Sequence, residues 1–253
     1  MICIDPKMQL IEIDKDKSLR ERAEDRTELY HYTSLSGLEK ILEGRKLKFN
    51  NLNNFDTEHA YEREGINENF RGCIFISCMT YCTECDEMWE KFGDKKRGAK
   101  LSFKYKGAFH DTIIDKSKEI EAYSKDNILI NKFGFNVSST RSDKFTVSQN
   151  IYTDVIVDLI LSDVIYKQQM PDSMINQNYL NISSVSQTVL TSYSDESETR
   201  IIGILRSVKE KYLEDISYLL APINFNNFEL EVKFGELAET SKKAKIEQLL
   251  NKL

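Results

Sequence analysis

The alternation of hydrophobic and polar positions predicts short strands and short helices along this chain. The segments "LYHYT" (29–33) and "KLKFNN" (46–51) are typical of strands, and "CIFISCMT" (73–80) is β-branched and aromatic enough for a buried strand. Between the first two segments, apolar residues recur at the spacing of one helical face. These residues are Leu35, Leu38, Ile41 and Leu42. An amphipathic helix is therefore expected to connect the first two strands.

The ends of that helix have recognisable signals. Ser34 or Ser36 is expected to begin it, and Ser36 with Glu39 has the spacing of a capping box. Gly44 is expected to end it, because glycine accepts the left-handed conformation that follows many helices.

The remaining segments predict a mixed α+β domain. Further helices are predicted at 14–28, 58–70, 85–94 and 237–253. Further strands are predicted at 98–105, within 154–169, and at 216–225 and 228–235. Residues 107–150 are predicted as a helix followed by a loop. With no linker or repeat visible, the expected organisation is an N-terminal helical extension (1–28), one domain (29–236) and a C-terminal helix (237–253).

Composition narrows the class of protein. The chain has 253 residues, 40% of them hydrophobic, which suffices for a real core. No apolar run approaches the roughly 20 residues of a membrane-spanning helix, and the N-terminus lacks a secretory signal, so a cytoplasmic protein without membrane partners is expected. A net charge of −6 disfavours a broad nucleic-acid coat. The basic run at 91–106 could meet phosphates, although a solvated face is the commoner case.

Four of the five cysteines lie close together, which raises the question of a zinc site. They are Cys73, Cys78, Cys82 and Cys85. Their spacing is not the paired CxxC of a zinc ribbon, and Cys73 and Cys78 would point to opposite faces of a strand. Reduced, partly buried thiols are the favoured interpretation, and neither a metal nor a disulfide framework is expected.

Common catalytic motifs are absent from the sequence, which leaves polar segments at strand ends. No P-loop, dinucleotide fingerprint or nucleophile elbow occurs. Glu196 and Glu198 alternate, so on a strand they would share one face, with Arg200 continuing the row. Such a row is either an exposed ion-paired edge, the commoner case, or an acidic catalytic pair. His31, taken alone, is more typical of a structural histidine than of a catalytic one.

The order of the polar segments resembles a bacterial family called domain of unknown function 2971. The matching segments are "LYHYTS" (29–34), "GRKLKFNNLNNFDTEHAYE" (44–62), "ISCMT" (76–80), "EMWEKFGDKKRGAKLSF" (87–103), "VIYKQQ" (164–169) and "DESETRII" (195–202). The resemblance covers about residues 29–205. The chain departs from the family pattern at Thr57, Met79, Phe92 and Thr199, of which Thr57 removes a proline turn.

That family looks like a remote branch of the ADP-ribosyltransferase fold. The resemblance implies a single α+β domain with a split mixed or antiparallel β core, peripheral helices and NAD as co-substrate. It implies that His31, with Tyr32 and Thr33, contacts the nicotinamide ribose, and that Ser77 with Thr80 or Tyr81 lines the nicotinamide pocket. It also implies that Glu198 orients the ribose or activates the nucleophile. Glu196 would then orient the acceptor, Arg200 would pair with a carboxylate, and Trp89 would pack beneath the cleft.

The chemistry of NAD cleavage agrees with these residue types. The ribose passes through an oxocarbenium-like transition state, which a nearby carboxylate stabilises. The same carboxylate can take a proton from the nucleophile, and a histidine ring can donate to a ribose hydroxyl.

Three functions follow from this interpretation. The first is an ADP-ribosyltransferase, as a toxin or phage-defence effector, acting on RNA, single-stranded DNA or a protein. The second is an inactive module that keeps the fold and binds a nucleotide or a partner, such as an antitoxin protein. The third is hydrolysis of NAD without an acceptor.

Overall fold

The computed structural model shows an α+β fold that is dominated by an antiparallel sheet and has few helices. It describes residues 10–11, 21–54, 72–107, 109–135, 155–167, 180–181, 188–207 and 216–253. The predicted helix at 58–70 and most of the loop predicted before 150 lie outside these residues.

The strands are numbered in chain order. They are β1 (Leu10–Ile11), β2 (Glu28–Thr33), β3 (Lys46–Asn51), β4 (Ile74–Thr80), β5 (Ala99–Lys104), β6 (Ile120–Tyr123), β7 (Leu129–Phe135), β8 (Val155–Asp163), β9 (Ile165–Lys167), β10 (Leu180–Asn181), β11 (Thr188–Leu190), β12 (Glu198–Ser207), β13 (Tyr218–Pro222) and β14 (Glu229–Phe234). The helices are α1 (Leu35–Gly44), α2 (Asp86–Lys91), α3 (Phe109–Ile113) and α4 (Thr240–Leu250). Short 3₁₀ turns cover Leu52–Asn54 and Thr191–Glu196.

One large sheet contains ten strands, in the order β12-β8-β7-β6-β13-β3-β4-β2-β5-β14. Strand β12 also pairs with β4, so β4 contacts three strands. All neighbours in this sheet are antiparallel except β7 and β8. Two small parallel pairs, β1 with β10 and β9 with β11, stand apart from it. The predicted mixture of strands and short helices is confirmed.

Helix α1 forms where its apolar spacing predicts it. Its buried side chains are Leu35, Leu38, Ile41 and Leu42. Ser34, and not Ser36, is the N-cap, since its hydroxyl accepts a hydrogen bond from the Gly37 N–H at 3.1 Å. At the other end the left-handed residue is Arg45, with φ of 50°, whose guanidinium lies over the Phe225 ring. The capping box and the glycine stop were therefore wrong in detail.

The loop predicted after the helix within 107–150 is wrong where β6 and β7 form. Helix α3 is present, but β6 and β7 follow it as a hairpin. The four residues of β6 alternate between buried and half-buried, the period of a strand. Asn127 takes φ of 61° in the connecting turn, which lets the chain reverse. The N-terminal helix predicted at 14–28 ends earlier than expected, since the described helical residues end at 24 and β2 already begins at Glu28.

The core includes aromatic residues of β3 and β4, next to Gly203 of β12. Phe49 and Phe75 are fully buried there. A methyl group at Gly203 in β12 would lie 3.7 Å from both the Phe49 ring and the Val157 side chain. These distances are ordinary van der Waals contacts, so an alanine at Gly203 would fit against the core.

Gly98, which directly precedes β5, lies in close contact with the end of β2. A methyl group there would lie 2.2 Å from the Thr33 carbonyl oxygen, far inside van der Waals contact. We expect Gly98→Ala to reduce the free energy of unfolding by roughly 1–3 kcal/mol, because the backbone must shift. Urea denaturation measures this change.

Gly44→Ala is the matched control. No heavy atom lies within 4 Å of a methyl group at Gly44, which is helical. Alanine there should be neutral or stabilise by roughly 0.5–1 kcal/mol. Equal effects of the two substitutions would contradict the predicted clash.

Candidate functional site

The three segments implied by the resemblance lie on three adjacent strands. Strand β12 pairs with β4 from Glu198↔Thr80 to Ile204↔Ile74. Strand β2 pairs with β4 at one position, Tyr30↔Thr80. Tyr30, Thr80 and Glu198 therefore form a row across the sheet, and the polar ends of the three strands meet at one corner.

The side chains of these segments divide between two faces of the sheet. Residues directly opposite one another share a face, and successive residues alternate. One face, called here the Glu198 face, carries Tyr30, Tyr32, Cys78, Thr80, Glu198 and Arg200. The opposite face, called the His31 face, carries His31, Thr33, Ser77, Met79 and Thr199. The predicted residues thus reach one corner of the sheet but not one face.

Glu198 is held by a buried two-pronged ion pair. Its Oε1 accepts from Arg200 Nε at 2.8 Å, and its Oε2 accepts from Arg200 Nη2 at 2.9 Å. Both side chains are almost fully buried. Because two donors hold the two oxygens, the carboxylate has a fixed orientation. The prediction that Arg200 pairs with a carboxylate is confirmed.

The main chain of Glu198 is fixed by the segment after β8. Its N–H donates to the Tyr166 hydroxyl at 2.8 Å, and its carbonyl accepts from the Val164 N–H at 3.1 Å. Burial raises the pKa of Tyr166 well above its ordinary value, so the phenol stays protonated. Tyr166 therefore acts here as a positioning residue, a role that the sequence did not indicate.

Glu196 does not lie on the strand with Glu198, so the predicted row of alternating carboxylates is wrong. It ends the 3₁₀ turn, and Ser197 with φ of 45° separates it from β12. Its carboxylate is buried and pairs with Lys91 Nζ of α2 at 2.9 Å. The left-handed residue between them sends the two carboxylates to different partners.

Thr80 holds this turn against β4. Its hydroxyl donates to the Glu196 carbonyl at 2.6 Å and accepts from the Cys82 N–H at 3.0 Å. The Cys85 thiol donates to the Asp195 carbonyl at 3.3 Å. Thr80, predicted as a nicotinamide contact, therefore has a structural role, because it fixes the turn that precedes β12.

His31 binds the backbone of β4 across the gap between the strands. Its Nδ1 lies 3.0 Å from the Cys78 carbonyl oxygen. A carbonyl only accepts, so Nδ1 carries the hydrogen. Burial lowers the pKa of His31, which favours the neutral ring and leaves Nε2 as an acceptor. A bound hydroxyl would therefore donate to His31, the reverse of the predicted direction.

The other predicted contacts have defined surroundings. Ser77 is buried on the His31 face, and Thr33 is half-buried beside the start of α1. The Tyr32 ring meets Trp89 edge-on, with 5.0 Å between centroids. Trp89 is 6% exposed, as expected for core packing. The Tyr32 hydroxyl is buried and has no hydrogen-bond partner among the described residues.

The His31 face also carries a polar cluster that could not be predicted from the sequence. Arg26 donates to both oxygens of Asp163, with Nη2 to Oδ2 at 2.7 Å, and the Thr199 hydroxyl donates to Oδ1 at 2.7 Å. The guanidinium of Arg26 lies 4.1 Å from the centre of the Tyr81 ring, which is 41% exposed. Tyr81 is thus placed by a cation–π contact. Arg26 and Asp163 are 137 residues apart, and no local signal joins them.

The four clustered cysteines differ in how deeply they are buried. Cys73 and Cys85 are buried, Cys82 is half-buried and Cys78 is exposed. Within the described ranges, no group of three or more His, Cys, Asp or Glu side chains could hold a metal ion. No helix among the described residues is long and apolar enough to cross a membrane.

No known protein family, curated protein or solved structure matches this chain. The resemblance to the bacterial family and to the ADP-ribosyltransferase fold therefore stays a prediction.

The Glu198–Arg200 pair should be costly to break from one side. Arg200→Met would leave the Glu198 carboxylate buried without its guanidinium, and we expect a loss of about 3–5 kcal/mol in the free energy of unfolding. Chemical denaturation measures it. The double variant Glu198→Gln/Arg200→Met removes the orphaned charge and should recover part of the loss. A double variant less stable than Arg200→Met would contradict this account.

His31 should titrate below its ordinary pKa of about 6.5 in the folded chain. The unfolded chain takes up the proton first as the pH falls, so the free energy of unfolding should decrease below about pH 6.5. Ring ¹⁵N chemical shifts, assigned by comparison with His31→Gln, should report a neutral ring protonated at Nδ1 at pH 7. A ring charged at pH 7 would contradict the assigned tautomer.

Proposed function

We propose that this chain is an NAD-dependent ADP-ribosyltransferase with its site at the corner where β2, β4 and β12 meet. The proposal is supported by one observation above all, the adjacency of the three segments that the resemblance singled out in chain order. Segments centred on His31, Ser77 and Glu198 are far apart in sequence but belong to neighbouring strands. The ADP-ribosyltransferase-like fold and the role of toxin or phage-defence effector belong to the same proposal.

Glu198 is the proposed catalytic carboxylate. Its two oxygens are fixed by Arg200 and its main chain by Tyr166 and Val164. A carboxylate that is already oriented stabilises developing positive charge on the ribose without reorganising during the reaction. In the proposed site the C1′–N bond of NAD breaks, nicotinamide leaves with the bonding electrons, and the acceptor nucleophile bonds to C1′ while its proton passes to the Glu198 carboxylate.

His31 and Tyr32 are proposed to hold the substrate. The Nε2 lone pair of His31 can accept a hydrogen bond from a ribose hydroxyl, because Nδ1 is engaged with the Cys78 carbonyl. Tyr32, which packs edge-on against Trp89, is proposed to shape the site through its ring, because its hydroxyl is buried. Glu196, paired with Lys91, is proposed to orient the acceptor only indirectly, through the turn that leads into β12.

The alternative function is a nucleotide- or partner-binding module without catalysis. The observation that favours it is the division between the two faces, since Glu198 lies on one face and His31 on the other. A buried ion pair that serves only to fix β12 would look the same.

Release of nicotinamide from NAD tests the proposal. Incubating the chain with ³²P-labelled NAD and bacterial extract should release nicotinamide and label a protein or a nucleic acid. We expect Glu198→Gln to reduce turnover about 10²–10³-fold, because the charge that stabilises the transition state is lost. Glu231→Gln, an exposed glutamate on β14 paired with Lys104, is the matched control and should retain activity.

Each outcome selects one function. Release of nicotinamide without label on any macromolecule would indicate an NAD hydrolase. Calorimetric binding of NAD without release would support the binding module. If Glu198→Gln keeps full turnover while its melting curve matches the unaltered chain, Glu198 is not the catalytic carboxylate.

A further inference from the structure

A second surface with ligand-binding character lies on the solvent side of β3, β13, β6 and β7. Register brings its residues together, since Asn50 pairs with Tyr218, Tyr218 with Tyr123, and Tyr123 with Leu129. Leu47 and Phe49 of β3 face the core, so Lys46, Lys48 and Asn50 face outward. The surface is called here the tyrosine–lysine face. It comprises Lys46, Lys48, Asn50, Glu121, Tyr123, Leu129, Lys132 and Tyr218.

Two tyrosine rings form a stack at the centre of this face. Tyr123 and Tyr218 are nearly parallel, at 6°, with 5.2 Å between centroids. Lys48 Nζ lies 4.4 Å from the centroid of the Tyr218 ring. The hydroxyls are held as well, because Tyr218 donates to Asn127 Oδ1 at 2.9 Å and Tyr123 donates to Glu121 Oε2 at 2.8 Å. The stack is therefore preorganised, and the next cross-strand neighbour of Tyr123 is Leu129, 44% exposed.

The face is positively charged although the chain has a net charge of −6. Lys46 and Lys132 both approach one carboxylate, Glu121, at 2.5 and 3.4 Å. Lys48 adds a further charge beside Lys40 of α1. Partial burial, and then repulsion from Lys40, lowers the pKa of Lys48. A bound anion would relieve that repulsion.

The basic run at 91–106 is less basic in the fold than in the sequence, because five of its seven cations each have an acidic partner of their own. Lys91 pairs with Glu196, Lys96 with Asp86, Arg97 with Asp94, Lys100 with Glu84, and Lys104 with Glu231. The run that looked most basic in the sequence is thus largely neutralised in the fold.

We propose that the tyrosine–lysine face binds single-stranded nucleic acid, with a base stacking on Tyr123 and backbone phosphates near Lys48 and Lys132. Aromatic side chains stack on any base, and lysines follow the phosphates, which together give binding without sequence preference. RNA and single-stranded DNA share this chemistry. A duplex does not, because its bases are already stacked on one another.

The location of this face links it to the candidate site. Asn50 pairs with Ile76 of β4 as well as with Tyr218, so the tyrosine–lysine face and the Glu198 face are the same side of one sheet. The idea that a nucleic-acid strand bound here delivers an acceptor to Glu198 rests on the proposed function. Binding of the nucleic acid does not rest on it, because binding is measured without NAD.

Fluorescence anisotropy with labelled twelve-residue oligonucleotides tests the proposal. We expect dT₁₂ or rU₁₂ to bind the whole chain and a hairpin duplex of equal charge to bind more weakly. Tyr123→Leu should weaken binding about 5- to 150-fold, the loss of one stacked base. Lys48→Met should reduce the slope of log Kd against log salt concentration by about one.

Matched variants separate binding at this face from a general effect of exposed rings or positive charge. Phe92→Leu and Lys118→Met alter an exposed aromatic ring and an exposed lysine elsewhere, and both should bind as the unaltered chain does. Tyr123→Phe keeps the ring and should also bind normally. If Tyr123→Leu does not fold, Lys48→Met still tests the proposal, because Lys48 lies at the surface and its replacement should not affect folding.

Four results would overturn the proposal. They are no binding of either oligonucleotide at low salt, equal affinity for the duplex, unchanged affinity of both face variants, and self-association in sedimentation velocity that Tyr123→Leu abolishes. The last result would assign the face to a second copy of this chain. Tighter binding of dT₁₂ or of rU₁₂ identifies the natural ligand as DNA or RNA, and neither outcome depends on nicotinamide release.

Discussion

The pairing of β12 with both β4 and β8 determines where the polar residues of this protein lie. Strand β12 is the middle strand of three, between β4 and β8. A shift of one residue in its register would therefore exchange the faces of Glu198 and Thr199. The apolar residues Ile201, Ile202, Ile204 and Leu205, all fully buried, resist such a shift on both faces. The orientation of the candidate carboxylate is therefore fixed by hydrophobic packing further along the same strand.

The first residues of β12 use that fixed register to separate two polar systems. Glu198 turns to Arg200 on one face, whereas Thr199 turns to Asp163 and Arg26 on the other. Each system satisfies buried charge locally, since an unpaired ion in this environment would cost several kcal/mol. The two systems begin one residue apart along the chain, at Glu198 and Thr199.

Local patterns predicted the elements that depend on local physics. Helix α1 was predictable because four apolar residues share its face, and β4 because its residues are β-branched and aromatic. The hairpin of β6 and β7 was missed because β6 has only four residues and the seven residues of β7 do not alternate regularly between buried and exposed. The choice of Ser34 over Ser36 as the N-cap depends on the direction of the incoming strand β2, which no short window of sequence contains.

Long-range contacts account for most of what the sequence could not show about the site. The alternation of side chains along β2, β4 and β12 was visible, but their register was not, and register decides which residues share a face. The Arg26–Asp163 pair and the Tyr123–Tyr218 stack join residues roughly a hundred positions apart. By contrast, Arg200 lies two residues from Glu198, so its pairing with a carboxylate could be predicted.

Strand β4 changes partner along one of its edges, and this makes the sheet fork. Strand β3 pairs with Phe75 and Ile76, strand β2 pairs with Thr80, and no described strand pairs with 77–79 on that edge. The ring of His31 takes the Cys78 carbonyl at the fork. At the fork a side chain thus replaces a strand as the partner of the β4 backbone, so His31 links β2 to β4 at a position where the two main chains do not pair.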